Sequence, residues 1–84
     1  MINEKIFEKA NKGDKSILKL PKERLMIKNN AGWTPVHYLA MDGVKEILDL
    51  DKELLTIKDK YGCTPVHYLA INGIKIPEEY KELI

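Results

Sequence analysis

Apolar residues recur along this chain at helical spacing, in short runs separated by glycines. Val36, Leu39, Ala40 and Gly43 fall at i, i+3, i+4 and i+7, which places them on one face of a helix. Thr34 stands just before that run as an N-cap, and Pro35 takes the first helical position, where a missing N–H costs nothing. Gly43 is predicted to end the helix, because glycine adopts the left-handed conformation without strain. Val44, Ile47, Leu48 and Leu50 predict a second short amphipathic helix. Asp51 is expected to cap a further turn, DKELL, before an extended stretch, IKDKYG. The same start then returns as Thr64, Pro65, Val66, Leu69, Ala70 and Gly73. At the beginning of the chain, Ile6, Ala10 and Gly13 form an inner side, with Glu4, Lys5, Glu8, Lys9 and Lys12 outward. Pro77 is expected to open a closing helix, EEYKELI.

The pattern is a true repeat. GWTPVHYLAMDG (Gly32 to Gly43) and GCTPVHYLAING (Gly62 to Gly73) differ at three positions only, and lie 30 residues apart. The register extends backwards: Ala10, Ala40 and Ala70 align, as do Gly13, Gly43 and Gly73. Three units follow, 1–29, 30–59 and 60–84, with a degenerate first and a divergent third. Isolated helices below about 12 residues are marginal in water, so each unit must bury its face on the next. Such stacks need polar outer faces at their ends, which accounts for the atypical terminal units.

The arrangement N/D-x-x-G-x-T-P-V-H-x-x-A-x-x-G, present twice, resembles the ankyrin repeat, whose motif centres on Thr-Pro-Leu-His and a following glycine. The likeness covers essentially the whole chain. It implies an all-α fold: a short solenoid of stacked helix-turn-helix units with β-turn loop tips, forming a single domain. This chain departs from the family in its shorter period, 30 residues against about 33, and in Leu39 and Leu69, where the family usually has Ala. A shortened second helix with an added turn is the expected consequence.

Composition narrows the function. The chain has 84 residues, a net charge of +1 and one cysteine, Cys63, so it cannot hold an internal disulfide. That cysteine usage and a charged start without a signal-like apolar run point to a reducing, cytoplasmic setting. No run reaches the roughly 18 apolar residues of a membrane span. Residues 1–29 carry eight basic and four acidic side chains, and residues 30–59 carry three and six. With one Arg among 14 basic residues, the bidentate contacts of base readers are lacking, and no nucleic-acid partner is expected. The basic first unit and acidic middle suit an acidic partner or self-association.

His37 and His67 invite a metal reading, perhaps with Cys63. Equivalent positions on stacked helices lie about 8–10 Å apart, whereas zinc ligands converge at about 2 Å. The imidazoles are therefore expected to brace one loop to the next. With Thr34, Pro35, Gly43, Thr64, Pro65 and Gly73 they form the structural motif. A thiol site at Cys63 and His67 has no third orienting group, and no catalysis or cofactor is expected. The expected activity is protein–protein interaction, as in a small adaptor or inhibitor, through loop tips and the concave helix face. The candidate contacts are Asn30, Trp33, Met41, Asp42, Lys60, Tyr61, Cys63, Ile71 and Asn72. Trp33 is expected to be an exposed anchor, and Tyr38 and Tyr68 to pack between units.

Overall fold

The computed structural model describes residues 2–83. Met1 and Ile84, the outer ends of the first and third expected units, lie outside the described residues. All regular structure in 2–83 is helical. Helix α1 spans Ile2–Asn11, followed by a 3-10 helix at Lys15–Lys19 and a single α-turn, α2, at Lys22–Leu25. The order repeats as α3 (Pro35–Met41), a 3-10 helix at Lys45–Asp49, and α4 (Lys52–Leu55). Helix α5 (Pro65–Ile71) and a 3-10 helix at Glu78–Leu83 close the chain. The bounds shift by 30 residues, the period of the sequence, from the first 3-10 helix to the second, from α2 to α4 and from α3 to α5, whereas the closing 3-10 helix lies outside that register.

Each first helix ends in the same way. Gly43 has φ 76°, its N–H donates to Ala40 C=O at 3.0 Å, and Val44 N–H donates to Leu39 C=O at 3.0 Å. These two bonds are a Schellman motif, which satisfies carbonyls that the helix leaves open. Gly73 with Ile74 and Gly13 with Asp14 repeat it. The second helix is 3-10 rather than α. Only five residues separate Val44 from Leu50, and i→i+3 bonds from Ile47 to Val44 and from Leu50 to Ile47 close the run before the next turn begins. The extra turn DKELL forms as expected, but Asp51 makes no side-chain cap. Its carboxylate instead lies 3.5 Å from Lys22 Nζ.

The first helices lie side by side in the order α1, α3, α5. Ala10, Leu39, Ala40 and Leu69 are fully buried between them, and Ile47 and Leu55 lie under them. Small alanines at the crossing points let the backbones approach. Polar ties join the layers at the surface. Lys15 pairs with Glu46 at 2.8 Å, and Lys22 reaches both Asp51 and Glu53. Part of the basic-to-acidic asymmetry along the chain is thus matched internally, between the first and second repeats.

Consecutive loops are also bonded to one another. Lys60 N–H donates to Ala31 C=O at 3.1 Å. Gly32, at φ 77°, lies directly beneath: a Cβ there would sit 2.9 Å from Lys60 N. Gly62 has the same conformation, φ 82°, but a Cβ on it would meet nothing within 4 Å. Gly62→Ala is therefore expected to cost about 1–2 kcal/mol, the left-handed penalty alone. Gly32→Ala is expected to cost a further ~1–3 kcal/mol of overpacking. Urea denaturation of the two variants checks this, and equal midpoints would contradict the loop contact.

Candidate functional site

The loops that precede α3 and α5 are built around one side chain each. Asn29 Oδ1 accepts from the amides of Ala31 and Trp33, both at 3.0 Å, and its Nδ2 donates to Tyr38 Oη at 2.7 Å. Asp59 repeats the loop bonds, accepting from Tyr61 N–H at 2.8 Å and Cys63 N–H at 2.9 Å, while Tyr68 Oη–H donates to its second oxygen. The donor and acceptor thus exchange roles between the copies. A phenol hydroxyl does either, so the same geometry serves an amide and a carboxylate. Asp59 is 6% exposed. Burial pushes its carboxyl up, but the Tyr68 hydroxyl and the Cys63 and Tyr61 amides outweigh that and hold it below the usual range. Burial, followed by the Asp59 contact, raises Tyr68. Asn29 and Asp59 open the N/D-x-x-G motif, and that position was the signal for their role.

Each histidine braces its own cap. Thr34 N–H donates to His37 Nδ1 at 3.1 Å, and Thr34 Oγ1 lies 2.9 Å from the same nitrogen. His67 and Thr64 repeat this at 2.9 and 2.8 Å. An Nδ1 that accepts an amide proton is unprotonated, so the ring hydrogen sits on Nε2. His37 Nε2–H then donates to Cys63 C=O at 3.2 Å, across the loop interface. Desolvation lowers the His37 pKa, against a smaller opposing effect of the Cys63 carbonyl.

The candidate contacts separate into three groups. Trp33 is not an exposed anchor. Its indole is half-buried, stacked on His37 with ring centroids 5.9 Å apart and 4.8 Å from both Tyr38 and Tyr68. The Asn29 turn bonds Trp33 N–H, which directs the side chain back over the loop interface. Cys63 is half-buried as well. Asn72 carries exposed surface, but its amide donates to the Ala40, Met41 and Tyr68 carbonyls at 2.9–3.0 Å, tying α5 to the end of α3. The second group is the loop tips: Asn30, Lys60 and Tyr61 are exposed, and Lys60 Nζ lies 5.2 Å from the Tyr61 ring. The third is the helix ends, where Met41, Asp42 and Ile71 are exposed. Helix ends and loop tips lie at opposite ends of α3 and α5.

Comparison with protein-family models and with curated proteins returns no match. The side chains therefore carry the functional argument by themselves. Tyr38 and Tyr68 pack between layers, with their hydroxyls bonded to the loops. No group of three or more His, Cys, Asp or Glu among the described residues is placed to hold a metal ion. No helix among them is long and apolar enough to cross a membrane.

Two outcomes follow. Trp33→Ala is expected to cost about 2–3 kcal/mol, somewhat below the ~3–5 kcal/mol of a fully buried aromatic; an unchanged denaturation midpoint would return the indole to the surface. Asp59→Asn is expected to be nearly neutral at pH 7, since Asn29 already makes the equivalent bonds. Asp59→Ala leaves two amides and a hydroxyl unpaired and is expected to cost about 3 kcal/mol. A carboxyl depressed in the folded state contributes stability above its unfolded value, about 3.9. That contribution disappears as pH falls through the folded value. Thermal unfolding between pH 5 and 2 should accordingly fall less steeply for Asp59→Asn than for the wild type.

Proposed function

We propose that this chain is a short ankyrin-like solenoid that binds a protein partner without chemistry of its own. The observation that carries the proposal is the position of its exposed large hydrophobics. Met41 is 43% exposed, Tyr61 71% and Ile71 73%. Met41 and Ile71 are the last residues of α3 and α5, one period apart. Asn72 beside Ile71 touches the Met41 carbonyl, so the two apolar ends are neighbours. Asp42 lies alongside, and Asn11 holds the corresponding place on α1. Side-by-side apolar groups on neighbouring layers, with polar residues around them, suit a partner's apolar anchor.

Support for the solenoid comes from the 30-residue periodicity of the elements, the Thr-Pro helix starts and the histidine braces. The all-helical architecture and the exposed apolar helix ends suit an adaptor or inhibitor that binds a protein. Self-association is the competing reading, and the Lys15–Glu46 and Lys22–Glu53 pairs weaken its electrostatic basis.

The test is affinity capture from cell extract with the wild type and with Met41→Asp/Ile71→Asp. Both side chains are exposed, so the variant is expected to fold with an unchanged circular dichroism spectrum. The wild type should retain a protein that the variant recovers at least about tenfold less, the loss of one good anchor. Equal recovery by the two forms, or no protein specific to the wild type, would contradict the proposal. A concentration-dependent sedimentation coefficient would favour self-association.

A further inference from the structure

The contact between loop 59–63 and loop 29–33 has three parts. Ala31 C=O accepts from Lys60 N–H at 3.1 Å, and His37 Nε2–H donates to Cys63 C=O at 3.2 Å. Gly32 lies flat between them, its missing Cβ making room for Lys60 N. All three parts recur on the outer edge of loop 59–63. Tyr61 C=O accepts no hydrogen bond among the described residues. The Thr64 amide holds His67 Nδ1 at 2.9 Å, so Nε2 carries a proton, and it has no acceptor among the described residues. Gly62 is flat in the same way, with open space where Gly32 meets the next loop. His37 is fully buried, whereas His67 is partly exposed. The helical side of this repeat is different: Ile76 and Tyr80 are buried and cover it.

We propose that the outer edge of loop 59–63 docks a glycine turn of a protein partner, one that presents a backbone N–H and, three residues on, a backbone C=O. The N–H would meet Tyr61 C=O and the carbonyl would accept from His67 Nε2–H, in the register that Lys60 and Cys63 already use within the chain. The interface is thus continuous with one the molecule already makes. The occupant is a partner's turn rather than a second copy. In a second copy, loop 29–33 is the segment with this register still open, and α1 lies against α3 on that side. The exposed Tyr61 ring and Lys60 flank the edge and add a contact for an apolar or acidic residue beside the turn. This edge is separate from the Met41–Ile71 face, and either can fail without the other.

The probe is a head-to-tail cyclised peptide copying residues 58–64 with Cys63→Ser, titrated into the full 15N-labelled chain. The expected result is a shift of the His67 Nε2–H resonance and of the Gly62 and Cys63 amides, saturating with a Kd of about 1 mM, as two hydrogen bonds and a ring contact allow. The His37 resonance should not move. Gly62→Asn keeps a residue that tolerates positive φ but fills the open space. His67→Gln keeps a residue that can complete the helix cap but moves the donor. Each should weaken binding about tenfold or more, one hydrogen bond to a fixed acceptor, with circular dichroism confirming the fold of each variant. Met41→Asp/Ile71→Asp should bind the probe as the wild type does. No response of His67 at several millimolar peptide would overturn the proposal. So would equal binding by a folded Gly62→Asn or a folded His67→Gln.

Discussion

His37 uses both ring nitrogens at once. Nδ1 accepts the Thr34 amide within its own helix cap, and Nε2–H donates to the Cys63 carbonyl of the following loop. The first bond fixes the tautomer that makes the second possible. Helices of seven residues have too few internal bonds to persist in water, so their order must come from their neighbours. In this chain that order passes through α1, α3 and α5, packed over alanines, and through loops joined by His37 and by Lys60 N–H. Burial keeps the imidazole neutral, and a neutral ring is what the Thr34 amide requires.

The two copies of the repeated phrase are alike in sequence but not in circumstance. In the first, the loop is covered by the second; His37 is buried, and Gly32 touches the backbone of the next loop. In the second, the equivalent groups face outward. The differences at the variable positions follow this asymmetry. Trp33 fills the space between Tyr38 and Tyr68 at the internal interface, whereas Cys63 stands at the outer edge. Asn29 and Asp59 perform the same loop closure with opposite hydrogen-bond polarity toward their tyrosines. One architecture thus leaves one face closed and one open.

Helical spacing and glycine punctuation made most of the local structure legible. The Thr-Pro starts of α3 and α5, the glycine ends and the extra turn after Asp51 all follow from residue-level rules, because they depend on neighbours a few positions away. Four features were hidden, Asn72 and Asp51 because their contacts cross the period and the others because loop and turn geometry override residue type. Trp33 looked like a loop-tip anchor, since sequence does not reveal that its own loop turns the indole inward. Asn72 looked like variable surface, yet its amide spans two helices. Asp51 stood at a capping position and was drawn to Lys22 instead. The second helix tightened to 3-10 because the next turn begins too soon for α geometry. Among the candidate contacts, partial burial sets Trp33 and Cys63 apart from the exposed Met41, Ile71 and Tyr61, and Asn72 is set apart by its hydrogen bonds to three carbonyls.

The most direct test of the bracing role is the state of the His37 ring, read by 15N NMR of the imidazole nitrogens as pH is lowered. The expected result is a neutral Nε2–H tautomer at pH 7 that stays neutral below about 6.5, the ordinary histidine value, with a slowly exchanging Nε2 proton. Because the folded value is depressed, its contribution to stability is complete above that pH and is lost as pH falls through the folded value. An Nδ1–H tautomer, or titration at the ordinary value with the fold intact, would contradict the account.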